Sequence, residues 1–188
     1  MLENPRENGW KIVRSEIVID SPHLRLRRDD IVLPDGTRVD DYYVRESRGF
    51  SVVFAIAPEA RVVLVRQYKH GVGRAVLELP AGAIDPGESS EACALRELAE
   101  ETGYVCAPEE LECMGRFVTD PTNSNAHFDL FLARDVRATA ERQLDATEEI
   151  EVELATLDEL RRFIADGTIE VSSHVAAIYF MLDRLGEL

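Results

Sequence analysis

Apolar and polar residues alternate through much of the first part of the chain. "WKIVRSEIVID" (10–20) and "LRLRRDDIVL" (24–33) carry the two-residue period of half-buried strands. The "PDG" at 34–36 supplies a hairpin turn into "TRVDDYYVRES" (37–47). "FSVVFAIAP" (50–58), "RVVLVRQYK" (61–69) and "AVLELPAG" (75–82) predict three more strands, rich in valine and leucine. The period then changes. Residues 89 to 102 repeat at helical spacing, with Ser89 or Ser90 to open the helix and Gly103 to stop it. "LECMGRFVT" (111–119), "HFDLFLARDV" (127–136) and "EIEVELATL" (149–157) return to strand. Thr156 and Glu159 have capping-box spacing for a short helix that Gly167 closes. A last helix begins after Ser172 or Ser173, with Val175, Ile178, Tyr179, Leu182 and Leu185 on one side.

This order predicts a mixed α/β chain of the α+β kind, mainly β, in a sheet-plus-helix sandwich rather than a regular βαβ alternation. No internal repeat or low-complexity linker interrupts it. A division near residue 50 separates an N-terminal antiparallel β-subdomain (1–50) from a main domain (51–188). A length of 188 residues suits one core with such an appendage.

Charge narrows the function. A net charge of −15 argues against a nucleic-acid binder, because nothing offsets phosphate repulsion. A small anionic substrate remains open where metal ions supply positive charge locally. The polar "MLENPRENGW" lacks the apolar run of a secretory signal, and no stretch reaches membrane-spanning length. Cys93, Cys106 and Cys113 form no C-x-x-C pair and no zinc spacing, so a reduced, cytoplasmic setting is expected.

The chemistry concentrates on the central helix. Ala92, Leu95, Leu98, Ala99 and Thr102 share one side, and Glu97, Glu100 and Glu101 span an arc of about 100° on the other. Between 83 and 115 Arg96 is the only basic side chain. Two carboxylates about 6 Å apart repel by roughly 0.7 to 3 kcal/mol, for effective dielectrics between about 80 and 20. Either the face is simply solvated, or a divalent cation sits among the carboxylates. Oxygen ligands without histidine or cysteine would select magnesium or manganese over zinc. The preceding "PAGAIDPGE" (80–88), with two glycines and two prolines, turns tightly enough for backbone to approach a ligand.

Gly82, Glu88 and the run Arg96-Glu97-Leu98-Ala99-Glu100-Glu101-Thr102-Gly103 resemble the signature of the Nudix hydrolases. Tyr104 departs from it, standing where an aliphatic residue is usual. The resemblance implies an α/β/α sandwich with a mixed sheet, and Mg²⁺-dependent hydrolysis (Mn²⁺ possible) of a nucleoside diphosphate linked to another group. It implies Glu97 and Glu101 as metal ligands, Glu100 sharing or bridging, and the Ala81 carbonyl completing the sphere. Arg96 and Glu88 would orient these groups, and the metal would activate water for attack on phosphorus.

The flanking "VVLVRQYKHGVGRAVLELPAG" and the all-strand extension are similar to the ADP-ribose pyrophosphatase branch. That implies cleavage of ADP-ribose to AMP and ribose 5-phosphate, or of a related nucleoside diphosphate sugar. It also implies a homodimer with exchanged N-terminal strands and the nucleobase at its interface. Pro121, in "TDPTNSNAHFD", stands slightly farther from the signature than the proline of those relatives, which leaves other sugars open. The resemblance places the general base at Glu148 in "DATEEIEVE", with Glu149 and Asp145 as alternatives in the same acidic loop. Lys69 and Arg66 are candidate phosphate contacts, Gly82 and Glu78 further substrate contacts, and His127 a sugar contact. Trp10 and Tyr68 would stack on a base or pack in the core. His70 and His174 have no partner in the sequence. Two other functions compete: a Nudix hydrolase for another diphosphate or a triphosphate, and a non-catalytic nucleotide-binding module.

Overall fold

The alternating runs form an antiparallel meander. In the computed structural model, which describes residues 9–144 and 149–186, β1 (Lys11–Asp20), β2 (Arg25–Val32) and β3 (Arg38–Glu46) pair in that order. Gly36, with φ of 88°, makes the β2–β3 turn, and Leu33 N–H closes it on the Thr37 carbonyl at 2.9 Å. The chain divides into two compact units. The first is Met1–Arg48 with Val118–His127, and the second is Gly49–Phe117 with Phe128–Leu188. Residues 118–127 join the first unit through bonds to the β3 backbone. Arg45 N–H donates to the Asn123 carbonyl at 2.8 Å and Ser124 Oγ to the Arg45 carbonyl at 3.0 Å.

The second unit holds a seven-stranded mixed sheet. Its strands are β4 (Phe50–Ala57), β5 (Arg61–Lys69), β6 (Arg74–Glu78), β7 (Ala81–Ala83), β9 (Leu111–Val118), β10 (His127–Ala133) and β12 (Ile150–Ala155). A separate two-stranded ladder joins β8 (Tyr104–Val105) and β11 (Arg137–Ala138). β4 runs parallel to β10, and the β4–β5, β4–β7, β5–β6 and β5–β12 pairs are antiparallel. The continuous apolar runs of β4 and β10 are buried on both faces, as central strands are. Helix α1 (Ser90–Thr102) covers one face through Ala94 and Leu98, packed with Val53, Val63 and Phe131. Helices α2 (Leu157–Ala165) and α3 (Ser172–Arg184) serve the other, where Leu160, Ile178, Met181 and Leu182 pack with Phe54, Leu64 and Leu77. The result is an α/β/α sandwich.

The run 75–82 is not one strand. β4 and β5 pair only at Ile56↔Val62 and Ala57↔Arg61, and the chain fills the gap between them by changing partners. β6 pairs with β5 up to Glu78, and β7 pairs with β4 from Ala81. Pro80, which has no N–H to give a ladder, sits at the crossing. The helix faces shift as well. Ala92 is exposed and Glu101 is buried on α1, while Tyr179 is 42% exposed on α3 and His174 lies on the buried side with Ala177. Ser172 is the first helical residue of α3, after Val171.

Candidate active site

The acidic face is built by how α1 is capped and what it packs on. Ser89 Oγ accepts from Ala92 N–H at 3.2 Å, and Gly103, at φ of 73°, gives its N–H to the Ala99 carbonyl. Ser51 Oγ ties β4 to the first turn through the Ser90 carbonyl at 2.8 Å. With the helix so docked, Glu97 lies directly over Gly82. A Cβ at that glycine would stand 1.9 Å from Glu97 Oε1, so the close approach needs hydrogen there.

Arg96 answers the repulsion that the sequence poses. Its Nε and Nη2 hold the two oxygens of Glu88 at 2.8 and 2.9 Å, while Nη1 donates to Glu97 Oε1 at 2.7 Å and to Glu100 Oε2 at 3.0 Å. Nη2 also reaches the Ala83 carbonyl at 3.2 Å, so one guanidinium fastens the β7 backbone to the helix. Bonding to Arg96 holds the Glu88 carboxyl down at about 2, against the opposing effect of desolvation. The same bond to Glu88 pushes the guanidinium upward. Glu88 Oε2 also accepts Asp85 N–H at 3.0 Å, closing the loop before the helix.

Glu101 is 3% exposed, and its Oε2 accepts Ala81 N–H at 3.0 Å. Among the described residues, no three Asp, Glu, His or Cys side chains close on one point as a metal cage. The donor chemistry nonetheless fits a hard divalent cation. Glu97, Glu100, Glu101 and the Ala81 carbonyl offer only oxygen, and the absence of a side chain at Gly82 lets the Glu97 carboxylate lie against the β7 backbone.

A cavity of about 240 Å³ adjoins this face, lined by Lys69, Glu78, Gly82, Glu101, Ser173 and His174 among others. Lys69 Nζ stands 3.3 Å from Glu78 Oε2 and is hydrogen-bonded to Gln67 Oε1. Arg66 is instead engaged by Glu153 of β12 at 2.6 Å. Tyr68 is 51% exposed and tilts against His70, so it is not a core residue. His127 and Trp10 belong to the first unit. There Trp10 meets Tyr42 edge-on at 6.4 Å and lines a cavity of about 150 Å³ with Arg27 and Asp29. Glu148 and Asp145 lie outside the described residues, and Glu149, exposed, immediately precedes β12. The sequence reading has no place for His174. Its signal was indirect: Pro80 breaks the strand, so the neighbouring buried N–H needs a partner from elsewhere.

Comparison with known proteins agrees with this geometry. A model of the NUDIX domain matches residues 46–174, and one of the nucleoside diphosphate sugar hydrolase N-terminal domain matches residues 10–44. The chain is 32% identical over 172 residues to a methanol dehydrogenase activator of Bacillus methanolicus, with 91% of each chain covered. It is 29% identical, over the same length and shares, to an ADP-ribose pyrophosphatase of Bacillus subtilis (strain 168). The crystal structure of an ADP compounds hydrolase shares the fold, with a TM-score of 0.81 at 22% identity over 95% of this chain and 97% of that one. Since the first of these models spans every strand and helix that carries the acidic face, the chain belongs to the Nudix family of hydrolases.

Proposed function

We propose that this Nudix hydrolase is a Mg²⁺-dependent pyrophosphatase that cleaves ADP-ribose to AMP and ribose 5-phosphate, or cleaves a related nucleoside diphosphate sugar. One observation carries the reading: Glu101 and Gly82 of the acidic face line one cavity with the Lys69 ammonium, a place for a diphosphate between that ammonium and a cation held by the carboxylates. The match of residues 10–44 to a nucleoside diphosphate sugar hydrolase segment, and the named activities of the Bacillus subtilis relative and of a mouse ADP-sugar pyrophosphatase (52% identical over 64 residues, covering 34% of this chain and 28% of that one), favour a sugar-linked substrate.

Nudix hydrolases use divalent cations, and the oxygen donor set favours Mg²⁺, with Mn²⁺ as a substitute. When bound, such a cation neutralises the diphosphate and makes water a better nucleophile. Glu97, Glu100, Glu101 and the Ala81 carbonyl would hold it. Arg96 and Glu88 keep the helix carboxylates registered on β7. Lys69 takes a phosphate oxygen from the cavity wall. Water adds to one phosphorus, the bridging P–O bond breaks, and Glu148 takes the proton as the other phosphate leaves. Trp10 and Tyr42 offer aromatic surface for a nucleobase in the first unit, and the working species is a homodimer.

A panel of ADP-ribose, ADP-glucose, UDP-glucose, GDP-mannose and NADH with Mg²⁺ tests this. ADP-ribose should be cleaved with release of AMP, and excess chelator should abolish turnover. Preference for a nucleoside triphosphate, or full activity in chelator, would overturn the reading.

A further inference from the structure

The crossing at Leu79 and Pro80 leaves one backbone donor without a strand partner. Pro80 gives its carbonyl to Val53 N–H at 2.9 Å, but the N–H of fully buried Leu79 falls between two ladders. It donates to Nδ1 of His174 on α3, at 3.2 Å. That bond sets the tautomer. Nδ1 accepts, so the proton of the neutral ring is on Nε2, and Nε2 stands 3.3 Å from Glu78 Oε1. The other oxygen of Glu78 faces Lys69 Nζ at 3.3 Å. His174 is 4% exposed and Glu78 7%, so a buried ring stands beside a buried carboxylate, which pairs with the part-exposed ammonium. Lysine has three N–H donors. Among the described residues Gln67 takes one and Glu78 faces the ammonium as its ion-pair partner, so a donor remains to offer a ligand in the cavity.

We infer that His174 is a positioning residue for the substrate's phosphates: through Nε2–H and Glu78 it fixes where Lys69 stands on the cavity wall. The inference rests on the diphosphate reading above. A lysine ammonium on its flexible stem would otherwise surrender rotamer freedom when it binds. The competing role for His174 is purely structural, an acceptor for Leu79 N–H. The two roles belong to different ring nitrogens, so they separate by substitution. His174→Asn keeps an oxygen near the Nδ1 position and loses the reach to Glu78. His174→Gln keeps an N–H near the Nε2 position.

The full-length chain is compared as wild type, His174→Asn, His174→Gln, Lys69→Met and the Asn/Met double variant. KM and kcat are measured with ADP-ribose and Mg²⁺, and Kd with α,β-methylene-ADP, a diphosphate that resists cleavage. His174→Asn should raise KM and Kd by about tenfold, the scale of one charge-assisted hydrogen bond, with kcat within about threefold. His174→Gln should stay within about threefold of wild type in Kd. In the Lys69→Met background His174→Asn should add less than about twofold, because the two act on one contact. Equal losses for the Asn and Gln variants, or the same added factor without Lys69, would overturn the inference. Should His174→Asn fail to fold, Glu78→Gln takes its place. It keeps an oxygen beside His174 Nε2, drops the charge facing Lys69, and should weaken Kd only while Lys69 is present; a loss that persists in Lys69→Met overturns the inference. A wild type that binds methylene-ADP but leaves ADP-ribose intact sinks the substrate reading alone, and the cycle is then read on Kd.

Discussion

Burial sets the charge state of His174, and pairing with Arg96 sets that of Glu88. His174 is pushed down to about 4, chiefly by burial, with Glu78 pulling it up and Lys69 pushing it down further. Its ordinary value is 6.5. Between those values the unfolded chain binds a proton that the folded chain refuses, so stability rises with pH across the window. The contribution is complete above about 6.5 and is lost as pH falls toward about 4, with a slope of at most about 1.4 kcal/mol per pH unit for one proton. Urea unfolding of wild type and His174→Gln at several pH values isolates that slope as a difference. The difference should shrink as the medium becomes more acidic, and a constant difference from pH 6.5 to 4 would mean that the ring is not buried neutral. Glu88 is the opposite case: its carboxyl is held charged by Arg96 well below its usual range, which keeps the loop closed in mild acid.

Elements were legible wherever local chemistry specifies them. Ser89 and Gly103 bound α1, and the Thr156–Glu159 box opens α2, as their side chains and spacing require. What depended on distant partners was not legible. The break of 75–82 into β6 and β7 follows from the divergence of β4 and β5. Helical spacing put Glu101 on the open side with Glu97, yet the Ala81 N–H draws it into the interior. The β8–β11 ladder and the return of 118–127 to the first unit likewise join segments far apart in the chain. Within the site, Gly82 is the element-level joint between β7 and α1, because the Glu97 carboxylate sits where a side chain at that position would stand. Gly82→Ala should fold, since the three nearest atoms in its way all belong to the far end of the flexible Glu97 side chain. The displaced carboxylate should lower kcat/KM by at least about tenfold and raise the Mg²⁺ concentration needed for half-maximal activity. A magnesium titration of activity, beside a melting curve, checks both; unchanged magnesium dependence would remove Glu97 from the group that holds the ion.

At the scale of the whole molecule, the first unit has too little to stand on alone. Among its described residues Ile31 is the one buried apolar side chain, at 5% exposure. Val13, Ile17, Val18 and Ile19 are 37 to 57% exposed along β1, a strand paired on one side only. Consecutive exposed apolar residues on both faces of an edge strand invite a second chain, and small β units commonly gain stability by association. The expected occupant is another copy of the same protein, because the proposed nucleobase surface around Trp10 lies on this same unit. Light scattering should therefore give a dimer at micromolar concentration. The double change Val18→Asp and Ile19→Asp should place charges in the contact, yield a monomer and raise KM for ADP-ribose by about tenfold or more, while the divalent-cation dependence proposed for the acidic face on α1, in the other unit, should stay unchanged. A wild type that scatters as a monomer would exclude the dimer. A double variant that stays dimeric with unchanged KM would move the contact away from β1.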